Sequence, residues 1–400
     1  MSYTPLEIMQ YIEEEDVKFI RLAFCDIWGK QKNISIMPAG LERAFQSGIP
    51  INATVIDGFS DSVHSDLFLH PDPSTLNILP WRPDSGRVVR FFCSVTYRDG
   101  TPFEADTRTL LKKAVAFAKE RGYLFEFGSK LEFYLFKTDD NGNPTDIPHD
   151  NATYMDIAPL DKGENIRREI CLTLERMGIT PESSHHEVGP GQNEIDFRNA
   201  DPLKAADDAI TFKMVVNTIT DMNGLYADFS PVPILNKPGN AFHINFSVKG
   251  GDVMQQVIAG IMSKIPEMTM FLNPTEASYR RFGTSRAPRY VTWSSENRSQ
   301  LIRIPASAEN FSRAELRSPD PLANPYITFA LLIYAGIYGI ENNLTLPEPA
   351  NAAMIEYGES SLKNVASLPV SLGMARENAI HSDFIARYIP GSIIKSYCGE

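Results

Sequence analysis

The sequence predicts an α+β protein of two domains, a small sheet-rich N-terminal part and a larger part of mixed helix and strand. The chain has 400 residues, more than most single domains need. The first hundred residues are rich in β-branched and aromatic stretches. From Thr107 onward the pattern changes, and strand-like and helix-like segments alternate. The predicted domains are 1–104 and 105–400.

Each element follows from local chemistry. Residues 5–15 read as a short amphipathic helix. Residues 16–24 alternate, turn through Ile27-Trp28-Gly29-Lys30 and continue over 32–36 as the second arm of a hairpin. Residues 41–47 read as helix and 87–97 as a strand ended by Asp99-Gly100. Residues 107–120 read as a helix closed by Arg121-Gly122, and 125–136 as a strand. A helix follows at 165–177, then two short strands around Gly189-Pro190-Gly191. Beyond them lie a long helix at 202–222, a strand at 241–248 and a helix at 253–265. The longest apolar run, 327–340, has the length of a buried core helix and is too short to span a bilayer.

Composition narrows the function. Apolar residues make up 43% and charged residues 22%, an ordinary globular mix. A net charge of -12 without a basic cluster argues against a nucleic-acid binder. No signal peptide precedes Glu15. Cys25, Cys93, Cys171 and Cys398 are far apart with no CxxC pair, which fits reduced thiols in the cytoplasm and neither zinc nor disulfides.

The chemistry concentrates in a few segments. In His185-His186-Glu187 and Gly189-Pro190-Gly191-Gln192-Asn193-Glu194, a tight turn joins two strands that can each aim a carboxylate at one face. Glu132, in an apolar strand, adds a third. A buried acid is costly unless it is paired or binds metal. Three convergent carboxylates suit Mg²⁺ or Mn²⁺. Three separate salt bridges would equally explain them. His243, alone on its strand, reads as a satisfied core histidine. Arg281, Arg298, Arg303, Arg313 and Arg317 group around Glu315, as bidentate binding of phosphate or carboxylate requires, unless they form a charged surface. There is neither a Walker loop nor a GxGxxG fingerprint.

Together these segments resemble glutamine synthetase of the bacterial type I family over nearly the whole chain. The resemblance rests on 185–195, on Asn297-Arg298-Ser299 with Ile302-Arg303-Ile304-Pro305, and on 315–321 with Asn324-Pro325-Tyr326. It implies an N-terminal β-grasp domain and a catalytic domain with a curved antiparallel sheet and surrounding helices. It also implies hexameric or dodecameric rings with the active site between neighbouring subunits. The implied reaction is ATP-dependent: a γ-glutamyl phosphate forms, then an amine displaces the phosphate. The implied metal ligands are Glu132, Glu187 and Glu194 for one ion, with His243 and Glu315 for a second. Arg298 is implied to face the phosphates, and Arg303 and Arg313 to surround the nucleotide and phosphoryl group. Arg281, Arg317 and Gly239 are implied to hold the glutamate, with Ser247 on the nucleotide side.

Several positions depart from that pattern. Lys130 stands where the family's Glu-x-Glu-Phe motif has its first acid, a ligand of the second metal. Asn52 falls at the aspartate that binds ammonium and cannot stabilise a cation by charge. Arg286 replaces the flap glutamate before Ala287-Pro288 and cannot act as a base. Pro238 replaces an asparagine of the substrate loop, and Asn245 a histidine near the nucleotide. These changes predict a ligase with an amine other than ammonia. The alternative is a non-catalytic paralogue that binds nucleotide or amino acid.

Overall fold

A computed structural model of the chain describes residues 4–59, 65–82, 85–284, 287–295, 297–306, 308, 311–350 and 365–399. Thr4 starts α1 (Pro5–Glu14): its hydroxyl accepts from the Glu7 N–H, and Glu7 reaches back to the Thr4 N–H. The hairpin follows as β1 (Val17–Cys25) and β2 (Gln31–Ile36), in antiparallel register. Asp26 fixes its turn, accepting from the Trp28 and Lys30 N–H groups at 3.0 and 2.9 Å. After α2 (Leu41–Ser47) come β3 (Ile49–Asn52), β4 (Asp66–Pro71), β5 (Asn77–Ile78) and β6 (Arg87–Thr96). The six strands form one sheet ordered β2-β1-β6-β4-β3, with β5 also on β6 and the β1–β6 pairing parallel. The alternation in the sequence pointed to β1, β2 and β6 but left the shorter β3 and β4 unread.

The larger part opens on α3 (Thr107–Glu120), capped by the Asp106 carboxylate. A fifteen-residue strand, β7 (Leu124–Thr138), runs through its centre. Next come β8 (Pro144–Pro148), α4 (Glu164–Arg176), β9 (Pro181–His186) and β10 (Gln192–Phe197), then α5 (Pro202–Met222), β11 (Leu225–Asp228) and β12 (Phe242–Lys249). They lead into α6 (Met254–Leu272), α7 (Glu276–Tyr279), β13 (Trp293–Ser294), β14 (Ile302–Arg303) and β15 (Ala314–Leu316). Helices α8 (Pro325–Glu341), α9 (Leu372–Ile380), α10 (Asp383–Tyr388) and α11 (Gly391–Cys398) complete the described chain.

Nine strands form the second sheet, ordered β13-β14-β15-β12-β7-β10-β9, with β8 and β11 also on β7. Among the described residues, its only parallel pairing is β13–β14. Side chains alternate between its two faces. Phe127, Leu131, Phe133, Ile195, Phe242, Ile244, Phe246 and Leu316 are buried on one. There Phe133 meets Phe212 of α5, and Phe127 stacks on Phe329 of α8. Each such aromatic contributes roughly 1.5–3 kcal/mol of burial. The opposite face carries the polar side chains.

Helix α6 differs from the sequence expectation, continuing through Pro266 to Leu272. Proline removes one helical hydrogen bond. Here Met268, Thr269, Met270, Phe271 and Leu272 are buried beyond it, and that burial outweighs the lost bond. Helices α6 and α8 cross closely at Gly260, where a Cβ would lie 2.2 Å from the Ala335 carbonyl oxygen. The two halves are joined by Arg108, which forks onto Asp207 at 3.0 and 2.9 Å and reaches Asp72 at 3.0 Å. The Tyr326 hydroxyl donates to the same Asp207 at 2.6 Å.

Candidate active site

Strand register assembles the site on the polar sheet face. Glu132 of β7 lies directly opposite Glu194 of β10, and Glu194 opposite His185 of β9. Lys130, two residues before Glu132, lies opposite His243 of β12. Asn245 lies opposite Glu315 of β15, and Glu315 opposite Arg303 of β14. A two-residue period thus brings side chains from six strands onto one surface. Lys130, Glu132, His185, Glu194 and His243 form the floor of a cleft of about 500 Å³, also lined by Glu187, Gln192, Pro238, Gly239, Arg281, Arg298 and Arg317.

One end of the cleft is acidic. Glu132 is buried, and one of its oxygens accepts from the Ala241 N–H at 2.8 Å and from Gln192 at 3.2 Å. Burial first, then the charges of Glu194 and Glu187, push its carboxyl well above the usual range, against the Ala241 N–H and Arg281. Glu194 goes the other way: burial raises it, but His243 and Lys130 more than reverse that. Lys130 is the partner charged at neutral pH, with its ammonium 3.0 Å from Glu194. Glu187 accepts from His185 at 3.0 Å.

The other end is basic. Glu315 is held by Arg303 at 3.1 Å and Arg317 at 2.9 Å. His243 lies between the ends, with Nδ1 3.8 Å from Glu194 and 3.6 Å from Glu315. Neither distance is a hydrogen bond, and Nδ1 has no partner. Burial and then Arg317 lower the His243 pKa to about 4, so the ring is neutral at pH 7 and free to ligate. Arg281 is buried and donates to the Ser318 carbonyl at 3.1 Å, while its Nε and that of Arg317 have no partner. Gly239 lies against Arg281: a Cβ there would meet the Pro231 carbonyl oxygen at 2.4 Å and Arg281 Cγ at 2.7 Å.

A divalent cation suits the acidic end. Ligand atoms of Glu132, Glu194 and His243 lie within 4.8 Å of one another, as do those of His185, Glu187 and Glu194. Burial and the neighbouring carboxylates push Glu132 toward its neutral form, and a cation beside it would offset that push. Free guanidinium edges at the basic end suit phosphate or carboxylate oxygens.

Not every residue singled out in the sequence lies in this cleft. Asn52, at the end of β3, is exposed on the first sheet and does not line it. Its side-chain oxygen accepts from the Thr54 N–H and hydroxyl at 3.0 and 2.7 Å. Asn245 and Ser247 are half-buried further along β12, with Ser247 opposite Glu126. Arg298 is exposed at the rim, and Arg313 is half-buried just before β15. Arg286 lies outside the described residues. Conversely, the sequence reading did not single out His185 or Gln192 as site residues. The alternation that selects Glu194 also selects Gln192, and the hairpin register selects His185.

Comparison with known proteins agrees with this fold. The glutamine synthetase catalytic domain matches residues 104–399, and the glutamine synthetase beta-Grasp domain matches 16–98. Glutamine synthetase of Clostridium saccharobutylicum is 41% identical over 421 residues, covering 100% of this chain and 95% of the relative. That of Methanosarcina mazei is also 41% identical, covering 98% and 92%. Among solved structures, GmaS in complex with ADP has a TM-score of 0.88 at 24% identity, covering 100% of this chain and 94% of that one. GmaS without ligand has the same TM-score at 25% identity, covering 98% and 94%. With both domains matched and full-length relatives at 41% identity, this chain belongs to the glutamine synthetase family.

Proposed function

We propose that the chain forms a γ-glutamyl amide from glutamate and an amine other than ammonia, using ATP. The family is one of ATP-dependent ligases that use divalent metal ions, which supports ligation itself. The choice of amine rests on Asn52. The resemblance puts an ammonium-binding acid there, but Asn52 is neutral and its oxygen already accepts two hydrogen bonds from Thr54. A small cation gains little from such a group.

Glu132, Glu187 and Glu194 would hold Mg²⁺ or Mn²⁺, with His243 beside them, and a bound ion would supply positive charge for the phosphate oxygens. Arg298, Arg303 and Arg313 orient the nucleotide phosphates, with Asn245 and Ser247 on the nucleotide side. Arg281 and Arg317 hold the glutamate, and Gly239 gives the backbone room beside Arg281. The γ-carboxylate oxygen takes the terminal phosphoryl group and ADP leaves. The amine nitrogen then attacks the acyl carbon, the carbon–oxygen bond to phosphate breaks, and phosphate leaves with the proton that the nitrogen sheds. The domains are 1–104 and 105–400, a boundary supported by the matches at 16–98 and 104–399. The chains assemble as hexameric or dodecameric rings in the cytoplasm, each Asn52 serving a neighbour's cleft. Among the described residues no helix is long and apolar enough to cross a membrane.

Nucleotide turnover tests this reading. Purified protein is given Mg-ATP and glutamate, and ADP is measured with ammonia and with a panel of organic amines. Stimulation by one organic amine and not by ammonia is the expected result. Stimulation by ammonia would make the chain a glutamine-forming enzyme. No turnover despite ATP binding would make it a non-catalytic paralogue, a reading that the Lys130–Glu194 contact at 3.0 Å favours.

A further inference from the structure

We propose that this cleft takes a single divalent cation, at its acidic end, and that the Lys130 ammonium supplies the second positive charge toward a bound phosphate. The inference rests on the ligase reading above and deepens it. Two observations invite a second ion: His243 Nδ1 has no hydrogen-bond partner, and the Glu315 carboxylate lies 3.6 Å from it. The charges around that pair argue against one.

Glu315 is already shared by two guanidinium groups, Arg303 at 3.1 Å and Arg317 at 2.9 Å. Lys130 is paired across the sheet with His243, so its stem leaves the floor beside the imidazole. Its ammonium lies 3.0 Å from one oxygen of Glu194, whose other oxygen lies 3.8 Å from His243 Nδ1. Three fixed cations therefore crowd one carboxylate and one imidazole. A divalent ion there would face net positive charge and have one uncommitted ligand, where such ions take several oxygen ligands.

The acidic end is the reverse. Glu132, Glu187 and Glu194 face a single ammonium, and their ligand atoms cluster around Glu194. Lys130 thus divides the cleft. It satisfies one Glu194 oxygen and still has N–H donors to offer. With only 19% of its side chain exposed, it lines the cleft between Glu194 and the arginine end, where a phosphate oxygen can accept from it.

Counting bound metal tests this without turnover. Protein stripped by a chelator is titrated with MnCl₂, and free Mn²⁺ is read from its electron paramagnetic resonance signal. Wild-type protein is expected to bind one Mn²⁺ per chain and Lys130→Glu to bind two. Two ions in the wild type would overturn the proposal while leaving the ligase reading intact. One ion in both proteins would remove Lys130 as the cause. A second variant covers the case in which Lys130→Glu does not fold. Lys130→Met keeps the stem and removes the charge, and is expected to weaken binding of a non-hydrolysable ATP analogue about 10-fold, the scale of one charge-assisted hydrogen bond. Unchanged analogue affinity would show that Lys130 does not reach the phosphates. Failure of the amine panel would count against the ligase reading and leave the Mn²⁺ count standing.

Discussion

Two buried clusters in this protein have nearly the same inventory and opposite character. Behind the Gly189-Pro190-Gly191 turn, Asp150, Asp161 and His186 bring ligand atoms within 4.8 Å of one another, as Glu132, Glu194 and His243 do in the cleft. In the first cluster the carboxylates are spoken for. Asp150 accepts from His186 Nε2 at 2.9 Å and from the Gly191, Ala152 and Lys162 N–H groups at 3.0–3.2 Å. Asp161 takes a forked pair from Arg167. Both ring nitrogens of His186 face acceptors, since Nδ1 lies 2.6 Å from the Glu187 carbonyl. The ring therefore sits as an imidazolium. Burial opposes that charge, but Asp150 outweighs it and raises the His186 pKa. In the cleft, by contrast, His243 Nδ1 and the Nε atoms of Arg281 and Arg317 have no partner, and Glu132 is forced toward its neutral form. Only Arg167 Nε is similarly unpartnered among the described residues of the first cluster. Polar groups that fold against one another build scaffold; polar groups left facing a cavity await a ligand.

The comparison breaks most directly at Asp150. Removing one partner of a buried pair leaves the other charge uncompensated, so Asp150→Ala is expected to cost about 3–5 kcal/mol in denaturant unfolding. The loss is pH-dependent. Burial raises the Asp150 pKa, but His186 and the Lys162 and Gly191 N–H groups bring it down to about 2. A lowered carboxylate stabilises the fold above its ordinary pKa of about 3.9, and that stability is lost as pH falls through about 2. The variant's deficit should therefore shrink by roughly 2–3 kcal/mol across that acid window. Normal stability with lost turnover would place Asp150 in the chemistry and end the distinction.

Glu132→Gln should do the opposite. Turnover is expected to fall by about 10²–10³-fold, the scale of losing an electrostatic group at a reacting centre. The amide oxygen can still accept from the Ala241 N–H, so the backbone contact survives. Without metal, the fold should be no weaker. A raised carboxyl contributes stability below its unfolded pKa, lost as pH rises through its folded value. The variant's advantage in thermal unfolding with chelator should therefore grow with pH. A large drop in melting temperature would show that Glu132 is scaffold.

The sequence foretold these two clusters unequally. Glu132, Glu194 and His243 stand in motifs whose alternation fixes their face, and strand register then sets them side by side. The stabilising role of His186 was invisible, because its partner Asp150 comes from a loop 36 residues earlier. Helix α3 was read to the residue, since Asp106 caps it and Gly122 ends it with φ +84°. Helix α6 was cut short at Pro266 because local propensity cannot weigh the burial that carries it to Leu272. The brief α9–α11 gave too few turns for a periodic signal. They are held by distant contacts such as the Tyr397 hydroxyl on the Ile27 carbonyl at 2.9 Å.

Gly239→Ala probes the basic end. The new methyl would press on Arg281 Cγ, and the Pro231 carbonyl leaves it nowhere to retreat. If Arg281 holds the acid substrate, the KM for glutamate should rise roughly 10-fold with kcat changed less, as when uniform binding is removed. A rise confined to the KM for ATP would shift Arg281 to the nucleotide.

The smallest effect expected is at Asp208 of α5, which separates a perturbed pKa from a functional one. Burial raises this carboxyl to about 6 even though Lys204 lies 2.8 Å from both its oxygens. By pKa alone it resembles Glu132, but its hydrogen bonds are made and it does not line the cleft. Its raised pKa means that the neutral acid is the better-tolerated form. The stability this contributes is complete below an ordinary carboxylate pKa and is lost as pH rises through about 6. Asp208→Asn should thus match the wild type near pH 4 and be more stable by about 1–3 kcal/mol at pH 8, with turnover unchanged. Altered turnover in a stable Asp208→Asn protein would mean that perturbation, and not unmet hydrogen bonding, marks the working groups here.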